Sequence, residues 1–134
     1  MGGLINSILG VCDTKMLDND KWCIKDDKIK LKVSDVPELA ETGGAVYLTS
    51  PDIGIPVLVL KSQKGEYLAF ANHCQHLLGR RLDPVPGEDK LRCCSLLHSE
   101  YDLDGKVVKG PANKPVKKYK AELDGDILTI TIDY

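Results

Sequence analysis

The sequence predicts an all-β domain, a small antiparallel sandwich or barrel of about eight to ten strands. Two observations lead there. Short runs rich in Val, Ile, Leu, Tyr and Thr recur from Lys28 to the C-terminus, and turn-forming residues separate them. A third is negative: the chain holds one short stretch with helical character and no long run of 3.6-residue periodicity.

In chain order the predicted strands are IKLKV (29–33), AVYLT (45–49), PVLVLK (56–61), EYLAFA (66–71), KLRCC (90–94), KVVK (106–109), YKAEL (119–123) and ILTITI (127–132). Between them stand TGG at 42–44, KG at 64–65, and DG at 104–105 and 124–125. The last DG lies between two apolar runs, as a hairpin turn would. SDVPELAE (34–41) is expected to form a helical turn or two, with Ser34 as its N-cap and Pro37 and Glu38 early in the turn. Trp22, Ile29, Leu31, Leu58, Leu60, Tyr67, Ile127, Thr129 and Ile132 are read as packing residues.

A chain of 134 residues, 43% hydrophobic and 28% charged, suits one domain with a single modest core. The net charge of -2 gives no global pull toward nucleic acid or an anionic membrane, so electrostatic recognition must be local. The opening MGGLINSILGVC is apolar, yet it lacks the basic start and small-residue cleavage site of a signal peptide and is too short for a membrane span. Asn6 stands where a myristoylation signal needs Ser or Thr. Five cysteines without regular pairing point to a reducing compartment. A soluble cytoplasmic protein is therefore expected, with residues 1–27 as an N-terminal extension that could pack on a domain spanning 28–134.

All three histidines fall close to a cysteine, in NHCQH (72–76) and RCCSLLH (92–98). Cys74 and His76 are two apart, which in extended backbone separates their Cα atoms by roughly 6.5 Å, at about 3.3 Å per residue. That spacing serves a single ion poorly, because single-zinc sites favour C-x2-C or H-x3-H segments that converge on one metal. A two-metal cluster tolerates wider donors. With Cys74 and Cys94 on one iron and His76 and His98 on the other, the set would be the two-cysteine, two-histidine arrangement of a Rieske 2Fe-2S centre. His73 and Cys93 are alternative ligands, Cys93 otherwise being a strand neighbour facing away from Cys94. Cys12 and Cys23 read as free thiols or small core residues.

The motif Cys74-Gln-His76, a gap to Cys94, then Cys94-Ser-Leu-Leu-His98 followed by SEYDLDGKVVKGPANKPVKKY resembles the Rieske family, whose usual form is C-x-H and later C-x-x-H. The likeness covers about residues 28–134 and includes VSDVPEL, GKVVKGPA and DGDILTI. It implies a Rieske-like antiparallel sandwich or barrel with a small cluster-binding subdomain, ligand loops at about 72–82 and 92–101, and a proline loop at 110–115. Ser99 and Tyr101 are similar to the Ser-x-Tyr of bc-type Rieske proteins, which implies that they donate to a bridging sulfide and to a ligand cysteine sulfur. The chain departs from the pattern in three places. Its first loop has one residue more before Gly79 than the usual C-x-H-x-G. Its second motif is C-x3-H, with Leu97 in the histidine slot, and Leu96 stands where bc-type proteins carry a disulfide cysteine.

The resemblance implies a Rieske-type 2Fe-2S cluster in a soluble electron-transfer protein, a ferredoxin component or small subunit of an oxidoreductase or oxygenase system. Such a protein works as an electron carrier with a redox partner protein, without catalytic residues of its own. Two other readings stand beside it: a cluster-less Rieske-fold interaction subunit, and a mononuclear Cys2His2 zinc site on a β scaffold. Leu77, Leu78, Leu96 and Leu97 would form an apolar docking rim, or would pack as ordinary loop residues. Lys106, Lys109, Lys114, Lys117, Lys118 and Lys120 form a run free of acidic residues, whereas Asp13, Asp18, Asp20, Asp26 and Asp27 lie in 13–27. This basic run would steer an acidic partner, or would only guard a sheet edge.

Overall fold

A computed structural model describes residues 14–51, 53, 55–72, 82–84, 89–93, 100–109 and 116–132. Twelve strands lie among them: β1 (Lys15–Met16), β2 (Trp22–Lys25), β3 (Lys28–Lys32), β4 (Ala45–Leu48), β5 (Val57–Lys61), β6 (Tyr67–Ala71), β7 (Leu82–Pro84), β8 (Lys90–Cys93), β9 (Glu100–Asp102), β10 (Val107–Lys109), β11 (Lys118–Asp124) and β12 (Ile127–Thr131). Every predicted strand is present. The others, β1, β2, β7 and β9, are too short or too polar to show as apolar runs. No α-helix occurs among the described residues.

An eight-stranded sheet runs β1-β4-β5-β6-β11-β12-β3-β2, and a four-stranded sheet runs β10-β9-β8-β7. Pairing is antiparallel except between β1 and β4. Local turn chemistry sets the hairpins. β11 and β12 close with Asp124 opposite Ile127, and Gly125, at φ 61, takes the left-handed first position that favours glycine. Between β2 and β3, Asp26 and Asp27 are both left-handed, at φ 53 and 61, as a two-residue primed turn requires. Asp tolerates that region better than most residues, so this hairpin forms without a glycine.

The stretch 33–41 forms two 3-10 turns, Val33–Asp35 and Pro37–Leu39, rather than a helix capped by Ser34. Ser34 lies inside the first turn. Its N–H donates to Asp126 Oδ1 at 3.1 Å, and its hydroxyl donates to Oδ2 of the same carboxylate. A partner 92 residues away in the β11–β12 turn thus takes the hydroxyl that a cap would have used.

Two apolar clusters meet on β5 and β6. Val57, Val59, Ala69 and Ala71 face the core of the large sheet with Trp22, Ile29, Leu31, Leu39, Val46, Leu48, Leu128 and Ile130. Leu58, Leu60 and Phe70 face the other way, onto Leu82, Leu91 and Tyr101 of the small sheet and onto Val116. β5 is therefore buried on both faces from Val57 to Leu60, which explains its unbroken apolar run.

The packing residues of β12 are Leu128 and Ile130, which stand opposite the buried Leu31 and Ile29. This corrects the assignment of Ile127 and Thr129. Ile127 is 39% exposed and Thr129 only half-buried, because the period-two alternation in ILTIT places the Leu and the second Ile inward. Tyr67 is likewise partly buried, against the rim of the first core. Leu128→Ala should cost about 2–5 kcal/mol in urea unfolding, whereas Ile127→Ala should change stability by less than about 1 kcal/mol. Equal losses would contradict this register.

Candidate functional site

The small sheet gathers the ends of three chain stretches. Strand pairing sets Leu82 opposite Cys93, Arg92 opposite Glu100, and Glu100 opposite Lys109. The first residues of β7 and β9 and the last residues of β8 and β10 therefore share one end of the sheet. From that end the stretch 73–81 is reached at Leu82, the stretch 94–99 joins Cys93 to Glu100, and the stretch 110–115 departs beyond Lys109.

Asn72 links this end to the large sheet. Its backbone N–H donates to Pro56 O at 2.8 Å, and its side-chain Oδ1 accepts from Leu82 N–H at 2.7 Å. Asn72, Leu82 and Cys93 thus form a continuous backbone neighbourhood, and Cys74 follows two residues after the first while Cys94 follows the last. The Asn72 Nδ2 atom is buried with no hydrogen-bond partner among the described residues. A second polar anchor ties the N-terminal arm to the same sheet. Asp83 on β7 is buried, and its Oδ1 accepts from the Thr14 N–H at 3.0 Å and from the Thr14 hydroxyl. Sequence reasoning singled out neither Asn72 nor Asp83. The adjacency of Asn72 to the first motif was the available signal for it, and nothing local marked Asp83.

Of the sequence-predicted site residues, Cys74, His76, Cys94, His98 and Ser99 lie outside the described residues, as do His73, Cys12 and the four leucines of the expected rim. Tyr101 is described. It is completely buried on β9, paired with Leu91 on one side and Val107 on the other, and it belongs to the cluster that joins the two sheets. Cys93 closes β8, and Cys23 is an exposed free thiol on the edge strand β2. Among the described residues, no three His, Cys, Asp or Glu side chains come together as a metal site. Lys106, Lys117, Lys118 and Lys120 are exposed, as are Asp18, Asp20, Asp26 and Asp27. Lys118 and Lys120 lie within reach of Asp104 and Glu122, at 3.8 and 3.0 Å.

The β9–β10 turn is built by Asp102, whose Oδ1 accepts from the N–H groups of Asp104 and Lys106, each at 2.9 Å. Gly105 follows at φ 89, and its carbonyl accepts from Val116 N–H at 2.8 Å. This bond returns the chain to the small sheet immediately after 110–115. A Cβ on Gly105 would stand 2.2 Å from Val116 O.

Together, the two sheets pack as β layers, and the segments that carry the Cys-His motifs begin at adjoining points at the end of the small sheet. The chain belongs to the Rieske [2Fe-2S] domain family, whose model matches residues 29–120. It is 27% identical over 117 residues to the cytochrome b6-f complex iron-sulfur subunit 2 of Nostoc sp., an alignment covering 85% of this chain and 64% of that protein. The chain spans less than two thirds of the length of the curated relatives it matches. Among solved structures it is similar to the ferredoxin of carbazole 1,9a-dioxygenase from Nocardioides aromaticivorans IC177, with a TM-score of 0.59, 22% identity, and 69% and 88% of the two chains covered. It is also similar to the plasma membrane Rieske protein PetC3 from Synechocystis PCC 6803, with a TM-score of 0.54, 24% identity, and 66% and 86% covered. These structural likenesses establish the fold, and family membership supports a Rieske-type electron-transfer role. No helix among the described residues is long and apolar enough to cross a membrane.

Gly105→Ala combines a left-handed backbone with a contact no Cβ can occupy, whereas Gly65, at φ 86, has nothing within 4 Å of such an atom. Gly65→Ala should therefore cost on the order of 1 kcal/mol, and Gly105→Ala should exceed it by about 1–3 kcal/mol. Urea unfolding of both variants measures the difference.

Proposed function

We propose that this protein is a soluble, cytoplasmic Rieske-type 2Fe-2S electron carrier, a ferredoxin component or small subunit of an oxidoreductase or oxygenase system. Cys74 and Cys94 hold one iron, and His76 and His98 hold the other. The observation that carries the reading is the neighbourhood Asn72–Leu82–Cys93, from which both Cys-His motifs begin on adjoining backbone. When bound, such a cluster takes up and returns one electron, at a higher potential than a cluster held by four cysteines.

The chain's own residues supply what such a carrier needs. Cys74, Cys94, His76 and His98 would hold such a cluster, which would supply one-electron transfer rather than chemistry on a substrate. Burial of Tyr101 at the middle of β9 holds the phenol within the packed junction of the two sheets. Ser99 and Tyr101 are assigned as donors to cluster sulfurs. Lys117 borders the first ligand stretch, because its carbonyl accepts the N–H of Ala71, the residue before Asn72, at 2.8 Å. With the Lys117 side chain exposed, this margin is suited to an acidic redox partner.

Protein purified anaerobically should be red-brown, contain two irons and two acid-labile sulfides per chain, and lose both in His98→Ala but not in Leu97→Ala. One zinc without sulfide would instead establish the mononuclear site, and protein folded without metal would establish an interaction subunit. Tyr101→Phe and Ser99→Ala should each lower the midpoint potential, since a lost hydrogen bond to sulfur worth about 1–2 kcal/mol corresponds to roughly 40–90 mV for one electron. With an acidic partner, Lys117→Glu should slow association, and added salt should slow the unmutated protein over a Debye length of about 10 Å at 0.1 M. Rates indifferent to both would place docking on apolar contacts alone.

A further inference from the structure

The KIKLK run of β3 sets Lys28, Lys30 and Lys32 on one face of the large sheet, all exposed, while Ile29 and Leu31 are buried on the other. Successive lysines on that face stand roughly 6.6–6.8 Å apart, two residues at about 3.3–3.4 Å each. Pairing places Lys25 directly opposite Lys28 and Cys23 opposite Lys30. Lys25 and Lys28 thus put like charges side by side on adjoining strands, an arrangement that destabilises a sheet. On the other flank, Thr131 stands opposite Lys28 and Thr129 opposite Lys30. Asp26 and Asp27 form the connecting turn, yet no ion pair joins Lys25, Lys28, Lys30 or Lys32 to a carboxylate among the described residues. Glu122, beyond Thr129, is taken by Lys120 at 3.0 Å.

Guarding a sheet edge does not account for the lysines of β3. That strand lies inside the sheet, paired with β12 on one side and β2 on the other, whereas lysines protect strands whose backbone is open at the margin. A local rule broken without gain to the fold marks a surface that serves function. The same face carries an apolar recess at its Lys32 end. This groove of about 420 Å³ is lined by the buried Trp22 and Leu31 and by Cys23, Lys30, Lys32 and Ile127. Asp20 and Lys21 complete the lining with opposite charges.

We infer that this face of β2 and β3 is a docking surface for an acidic segment of a partner protein, bound in extended conformation. Alternate residues of an extended chain repeat at the spacing of the lysines, so carboxylates at every second position meet Lys28, Lys30 and Lys32 in register. Lys25 adds charge at one end, and the recess beside Ile127 takes an apolar residue at the other. A nucleic acid is less well served. None of the residues facing outward from β2, β3, β11 and β12 is aromatic, so bases have nothing to stack on. The surface uses no residue of the ligand stretches and stands independently of the iron assignment.

The protein as purified can be titrated into a fluorescein-labelled peptide in which glutamate alternates with serine and a leucine ends the chain. Anisotropy should report saturable binding that added salt weakens, because exposed charges are screened over about 10 Å at 0.1 M. Lys28→Gln combined with Lys30→Gln should weaken binding about fivefold, as loss of two exposed ion pairs implies. The matched pair Lys64→Gln with Lys106→Gln, exposed lysines elsewhere, should leave it unchanged. Lys28→Gln alone should raise the urea midpoint by removing the charge opposite Lys25, so that stability and binding move in opposite directions. No binding by the unchanged protein, or equal losses in the two double variants, would overturn the docking surface. A peptide of the same composition with its glutamates contiguous should bind more weakly, and equal affinity would overturn the match of spacing. Tighter binding of a single-stranded oligonucleotide of equal charge would overturn the choice of a protein partner.

Discussion

Burial of both faces of the β5–β6 hairpin is the constraint on which the rest of the architecture depends. Val57 and Val59 point into one core and Leu58 and Leu60 into the other, while Ala69 and Phe70 divide in the same way on β6. A sheet face this apolar cannot remain in water, so the four-stranded sheet is held against it through Leu82, Leu91 and Tyr101. The small sheet is short, with strands of three or four residues, and pairing alone would hold it weakly. Its position follows from the leucines and phenylalanine beneath it.

Polar contacts then set the register between the layers where apolar packing is not directional. Asn72 bonds the end of β6 to the start of β7, and Asp83 receives Thr14 from the N-terminal arm that also adds β1 to β4. The bond from Val116 to Gly105 and that from Ala71 to Lys117 return the chain from the small sheet to the large one. The bonds at Asn72 and Ala71 lie toward the end where the ligand stretches begin, and the bond at Gly105 lies at the β9–β10 turn, the opposite end of the small sheet. Electron transfer by a domain of this family asks for such a frame, because a centre that changes charge without moving its ligands loses little energy to reorganisation.

The strands with apolar alternation or continuous apolar character were legible in the sequence, and so was the β11–β12 turn through Asp124-Gly125. The Cys-x-His and Cys-x3-His motifs, with the serine and tyrosine after them, carried the family resemblance before any coordinates, and the family match bears it out. Less legible were elements whose partners lie far away. β7 and β9 are three residues each and polar in part, and the Asp26-Asp27 turn lacks the glycine that usually announces a hairpin. Ser34 carries a capping residue's chemistry, yet its hydroxyl goes to Asp126, and the inward phase of β12 followed from Leu31 and Ile29 on the neighbouring strand.

By itself, then, the sequence determined the fold class, most strands and the identity of the motif residues, because periodicity, turn chemistry and donor type are local properties of the chain. Tertiary structure alone decided that β5 separates two cores, that β7 to β10 share the end from which both motifs begin, and that Asn72 and Asp83 are buried anchors. Those features depend on which strands become neighbours. That choice is made by burying apolar faces against each other across long sequence separations, and a hydrogen bond from Leu82 to Asn72, or from Thr14 to Asp83, exists only after it has been made.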